Sequence, residues 1–255
     1  MVDHTAVDVR DLTVSYGSTP VLIGVALTVP LGAGVCVTGE NGIGKSTLLR
    51  CVAGLQRPGS GQVRVFGAPP GGSPAFWRAV ATTVEPPAWY PGLTTREHAE
   101  LVCRAHGMDP GGTAADEALA RFGLSGHADA IPPSLSSGQK QRLMLALTLL
   151  RPSRLLILDE PEQRLDPDGR SAVAGLLREY LAAGGTILMA SHDETFAAAS
   201  GTTVRTMGNL AFGHSTDEVE AGSPTEVEAR SATEVEARSR TEVESGSRTG
   251  EPIVP

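Results

Sequence analysis

The sequence predicts an α/β fold: a layered lobe around a largely parallel sheet, with antiparallel strands near the start and a helical insert in the middle. Three observations predict it. After Pro152, short apolar runs alternate with helical patterns, the order that builds a parallel sheet. Two β-branched segments near the start flank a single turn. Between Phe76 and Leu135 the patterns are mostly helical and are broken by proline and glycine.

Taken in order, Val7–Val14 and Val21–Pro30 alternate around the turn Gly17–Pro20 and read as paired strands. Gly34–Thr38 is a short apolar strand that ends at a glycine-rich loop, and the residues after the loop through Cys51 read as a helix. Gln62–Phe66 reads as another strand. The stretch Phe76–Leu135 reads as a mostly helical insert, with Thr95–His106 and Thr113–Phe122 as its clearest helices. Ser136–Leu150 places Leu143, Ala146, Leu147 and Leu150 on one helical face. Then follow a strand (Leu155–Leu158), a helix (Pro167–Leu181), a strand (Thr186–Ala190), a helix (Asp193–Ala199) and a hairpin-like Thr202–Phe212.

A chain of 255 residues can bury one large α/β core or two lobes that share an interface. No run approaches the ~18 apolar residues of a membrane-spanning helix, and the start, MVDHTAVDVRD, has no apolar segment of a secretory signal. A role at a membrane therefore calls for separate membrane subunits. Cys36, Cys51 and Cys103 have no ligand-like spacing and read as reduced, buried thiols. Net charge is −8, of which −6 falls between Asp217 and the end, where ten acids face four arginines. No basic stripe could track a phosphate backbone, which argues against a nucleic-acid partner. There the units TEVEARSA, TEVEARSR and TEVESGSR begin at Thr225, Thr233 and Thr241. Such short polar repeats cannot bury a core, so residues 214–255 read as a disordered, low-complexity acidic tail.

Four motifs carry chemistry. Gly39–Thr47 reads GENGIGKST: its glycines let backbone N–H groups converge on phosphate oxygens, and the helix that follows adds its dipole. Lysine is almost absent from this arginine-using chain, occurring only at Lys45 and Lys140. Lys45 stands where a slim, flexible ammonium is needed instead of a planar fork. Leu155–Glu160 reads LLILDE, a strand buried on both faces whose acids emerge at its carboxyl end. Leu135–Gln139 reads LSSGQ; Ser136 with Gln139 also fits a capping box, and a capped helix end is itself an anion site. Ala190–Asp193 reads ASHD and places His192 just past an apolar strand.

In this order the motifs resemble those of the ATP-binding-cassette ATPases, over roughly Val7 to Phe212. The resemblance implies a P-loop nucleoside-triphosphatase fold with a mixed, largely parallel core sheet, an antiparallel β-subdomain and a helical insert. It implies an ATPase domain over residues 1–213, with its helical subdomain at about 86–150. ATP and Mg²⁺ would be bound by Gly39, Glu40, Asn41, Gly42, Ile43, Gly44, Lys45, Ser46 and Thr47. Lys45 would reach the β- and γ-phosphates, Thr47 the α-phosphate, and Ser46 and Asp159 the metal. Glu160 would be the general base, His192 would reach the γ-phosphate and attacking water, and Tyr16 would stack on adenine. Ser136, Ser137, Gly138 and Gln139 would contact the nucleotide bound by a partner's loop, so the working unit would be two cassettes head to tail.

Several positions depart from the family pattern. Ser137 replaces a glycine, a small change expected to be tolerated. Glu85 stands where glutamine is common, in the stretch between the lobes that contacts Mg²⁺ and senses the membrane subunit. In this it is similar to the bacitracin- and lantibiotic-resistance exporters. In EPEQRLD, Asp166 matches the dimer-interface loop while Gln163 and Arg164 replace residues that are often small. The implied protein is a cytoplasmic ATPase subunit, peripheral on the inner face of the membrane and paired with a permease subunit. A soluble-complex ATPase, as in cofactor assembly, is the alternative. A catalytically silent cassette is disfavoured by Lys45, Glu160 and His192.

Overall fold

Two sheets carry the architecture of the computed structural model, which describes residues 4–85 and 88–210. The first grows from the β-branched segments near the start. β1 (Thr5–Tyr16) and β2 (Thr19–Pro30) form an antiparallel hairpin with Asp8 opposite Thr28 and Val9 opposite Leu27. β4 (Ser60–Val65) adds to the other edge of β1, in the order β2-β1-β4. The register slips between Val9 and Leu12, where Asp11 takes a positive φ of 49°, a bulge that bends the strand.

The second sheet is wholly parallel. β5 (Val80–Thr82), β6 (Leu155–Asp159), β7 (Thr186–Ala190), β3 (Gly34–Thr38) and β8 (Thr203–Thr206) lie in that order. Successive side chains face opposite sides, which explains the unbroken apolar runs. Val35, Val37, Leu155, Ile157 and Leu188 pack toward the antiparallel sheet and α1 (Lys45–Val52). Cys36, Leu156, Leu158, Ile187 and Met189 pack on the other side. Their partners there come from α5 (Ser137–Leu150), α6 (Pro167–Ala182) and α7 (Glu194–Ala199). Each buried aliphatic side chain contributes about 1.5–3 kcal/mol, so both faces hold the sheet rigid beneath the site. α3 (Thr95–Ala105) and α4 (Ala114–Arg121) pack on α5. The capping box of Thr94 and Glu97 starts α3, and its hydrogen bonds hold the Glu97 carboxyl below the usual range.

Two expectations need correction. The stretch Phe76–Leu135, read as mostly helical, also holds a strand: after α2 (Pro74–Ala79) the chain enters β5, an edge strand of the central sheet. Its three residues are too few to show a period, and it exists because Val80 pairs with Leu155 of β6. Thr202–Leu210, the described part of the hairpin-like stretch, does not form a hairpin. β8 joins the free edge of β3 in parallel, and α8 (Met207–Leu210) follows it. The rest of that stretch, and the repeat tail, lie outside the described residues. All three cysteines are buried and free.

Candidate functional site

A parallel sheet delivers the ends of its strands to one side, and there the chemistry gathers. β3 runs into the glycine loop, β6 ends at Asp159 and Glu160, β7 leads to Ser191 and His192, and β5 leads toward Glu85. A cavity of about 250 Å³ opens beside the glycine loop, lined by Tyr16 and Val21, by Asn41, Gly42 and Gly44, and by Lys45, Ser46, Thr47 and Glu160.

The loop's shape depends on Gly44. Its φ is 106°, and a Cβ there would stand 2.6 Å from Leu22 Cδ2 of β2, so a side chain is excluded both by backbone and by space. No side chain caps α1, whose first-turn N–H groups therefore stay available to a ligand. Lys45 is buried, and its Nζ donates to the carbonyl oxygens of Gly39 (2.7 Å) and Glu40 (3.0 Å). Two of the ammonium's three donors thus close the loop, leaving the third for a ligand. Tyr16 stands half exposed at the end of β1, with its hydroxyl donating to Gln56 Oε1 at 2.8 Å. Hydrogen bonding, with Thr47 first, lowers its phenol pKa.

Asp159 is tied to the end of β5, its N–H donating to Thr83 Oγ1 at 3.1 Å. Glu160 is a non-glycine residue in the left-handed region, at φ 45°. Such a conformation costs on the order of 1–3 kcal/mol and persists only where neighbours impose it. Here the Glu160 N–H donates to Ala190 O at 2.9 Å, fastening the turn to the end of β7 while the residue lines the cavity. His192 Nδ1 lies 3.8 Å from Glu160 Oε1.

Sequence reasoning missed Glu162. Its side chain is 1% exposed, its Oε1 lies 3.8 Å from the same His192 Nδ1, and it accepts a hydrogen bond from Ser191 Oγ. Burial pushes its pKa up, against the pull of the Ser191 hydrogen bond and of His192. The signal was present as a third acid in DEPE, beside the departures noted at Gln163 and Arg164.

The LSSGQ residues stand elsewhere. Ser136 caps α5: Gln139 N–H donates to Ser136 Oγ (3.2 Å), and Ser136 N–H donates to Gln139 Oε1 (2.8 Å). Ser136 and Ser137 are exposed, and none of Ser136–Gln139 lines the cavity. A Cβ on Gly138 would stand 2.8 Å from Arg164 O, so this loop abuts the EPEQRLD turn. Arg164 is exposed, with φ 62°. Asp166 caps α6 through Gly169 N–H (3.2 Å) and pairs with Arg142 (2.5 Å), which holds its carboxyl below the usual range. Glu85 is exposed and lies outside the cavity lining, as do Gly39, Glu40, Ile43, Asp159 and His192. Among the described residues, no cluster of three His, Cys, Asp or Glu side chains could hold a metal unaided. No helix among them is long and apolar enough to cross a membrane.

Comparison with known proteins places the chain in a family. Residues 22–163 match the ABC transporter family model. The chain is 38% identical over 188 residues to a cytochrome c biogenesis ATP-binding export protein of Rhodobacter capsulatus, covering 74% of this chain and 81% of that one. It is 37% identical to the Nod factor export ATP-binding protein I of Rhizobium meliloti, covering 73% of this chain but 57% of that relative's length. A thiamine import ATP-binding protein of Rhizobium meliloti is 34% identical, covering 75% of this chain and 81% of that one. Among solved structures, the ATP-binding subunit of an ABC transporter superposes with a TM-score of 0.71 at 30% identity, covering 79% of this chain and 85% of the other. A loop cradle, a buried strand ending in two acids and a histidine beside the second acid thus stand in a chain that belongs to the ATP-binding subunits of ABC transporters and is an ATPase of that family.

Proposed function

We propose that this chain powers an exporter from the inner face of a membrane, hydrolysing ATP in a two-cassette sandwich seated on a separate permease subunit. One observation carries the reading: the capped start of α5 is exposed and does not line the cavity that holds Lys45 and Glu160. A complete site then needs a second cassette, whose Ser136–Gln139 segment would cover the nucleotide. Residues 1–213 would form the ATPase domain, with its helical subdomain at about 86–150 and the acidic tail at 214–255.

In the site, the first-turn N–H groups of α1 and Lys45 hold the phosphates, with Thr47 on the α-phosphate, and Tyr16 stacks on the base. Glu160 takes the proton of the attacking water, and His192, 3.8 Å away, orients that water against the γ-phosphate. Ser46, Asp159 and Glu85 would hold Mg²⁺, whose charge offsets that of the β- and γ-oxygens. So small a protein ligand set fits a cation that takes the rest of its shell from phosphates and water. Glu85, in place of the commoner glutamine, supports the bacitracin- and lantibiotic-resistance type. Export is also the activity named for two of the relatives.

Glu160→Gln tests the reading. It should lower turnover by about 10²–10⁴-fold while retaining ATP binding, and light scattering should show an ATP-dependent dimer. Turnover at the wild-type rate would refute the base, and a mutant that binds ATP yet stays monomeric would refute the sandwich.

A further inference from the structure

The turn Glu160–Pro161–Glu162 presents two carboxylates to one imidazole nitrogen. Glu160 Oε1 and Glu162 Oε1 each lie 3.8 Å from His192 Nδ1. The two acids are placed very differently: the Glu160 side chain is 20% exposed, and that of Glu162 is 1% exposed. Glu162 Oε1 accepts the Ser191 hydroxyl, while its Oε2 is buried without a hydrogen-bond partner among the described residues. The turn itself is held from the α5 side, where the buried Gln141 Nε2 donates to Pro161 O at 3.2 Å. The buried Cys36 thiol is pushed up to about 12, by burial first and by the charge of Glu162 second.

A buried acid with one unsatisfied oxygen is costly unless a neighbour uses it. The ring that stands beside this carboxylate is that of His192: its Nδ1 lies 3.8 Å from Oε1, and its side chain is 58% exposed. A proton on Nδ1 can be donated to only one of these carboxylates at a time, and which one accepts it decides what the other can do.

We propose that Glu162 is the positioning residue for His192: it accepts the Nδ1–H, holds the imidazole with Nε2 outward, and leaves both oxygens of Glu160 to the attacking water. This rests on the roles of Glu160 and His192 proposed above. Glu162 acts only through the ring and touches neither nucleotide nor water. An acid in this turn therefore sets the protonated nitrogen of a histidine on the neighbouring strand end, as second-tier carboxylates do for metal-bound histidines.

The test is a double-mutant cycle of Glu162→Gln and His192→Ala on the whole chain, with ¹⁵N NMR of the imidazoles. Glu162→Gln keeps the shape and removes a buried charge, so its melting temperature should equal or exceed that of the wild type. It should lower kcat about tenfold with little change in KM for ATP, and it should shift the Nδ1 resonance of His192. In the His192→Ala background the same substitution should leave kcat unchanged. Multiplicative losses in the cycle, or an unmoved Nδ1 resonance, would overturn the inference alone. If His192→Ala by itself keeps the wild-type kcat, the role given to His192 falls, and this inference falls with it.

Discussion

Helices α1 and α5 both begin at residues that the proposed nucleotide site uses, yet their first turns are completed in opposite ways. α1 starts from a left-handed Gly44 with no side-chain cap, and its Lys45 is buried under the loop. α5 starts from Ser136, whose hydroxyl and backbone N–H are both engaged with Gln139, and it faces solvent. The first turn is unfinished without a ligand, because its N–H groups have no local acceptor. The second is finished by its own side chains and keeps its shape alone. The contrast matches the division of labour proposed here: one helix end binds a nucleotide within its own chain, and the other waits to meet the nucleotide of a second chain.

Four substitutions probe that contrast. Lys45→Ala should have the largest effect, about 2 kcal/mol or roughly thirtyfold in ATP affinity, because a charge-assisted donor is lost. Titration with a fluorescent ATP analogue measures it, and Ser136→Ala in the same titration should match the wild type. Equal losses in both mutants would erase the distinction between the helix ends. Gly138→Ala comes next. A methyl would stand 2.8 Å from the Arg164 carbonyl oxygen, a backbone atom, at a cost of about 1–2 kcal/mol in a urea melt. An unchanged melt would mean that the α5 loop and the EPEQRLD turn can separate freely. Ser136→Ala should be smallest, about 1 kcal/mol of stability, with Ser136→Gly milder still. Thermal melts of both should show that order; the reverse order would show that the cap does not hold α5.

Legibility followed the range of the forces involved. The glycine loop, the capping box at Ser136 and the acid pair at Asp159 and Glu160 were readable because each is local: a backbone φ, a side chain reaching back three residues, a strand end. The buried runs Gly34–Thr38, Leu155–Leu158 and Thr186–Ala190 were readable because burial on both faces leaves no polar interruption. Tyr16 was placed only through the family resemblance, yet it does line the cavity.

By itself the sequence determined the glycine loop, the order of strands and helices from Leu155 to Ala199, and the acids at the end of β6, since these depend on residue types at short spacing. Only the tertiary structure decided that Val80–Thr82 pairs with β6 and that Thr203–Thr206 turns to the edge of β3. It alone brought Arg164 against Gly138 and Glu162 against His192. The physical reason is common to all four. Parallel pairing and contact between loops join residues far apart in the chain, and burial and the free edge of a sheet select them, so they leave no periodic trace in the segments themselves.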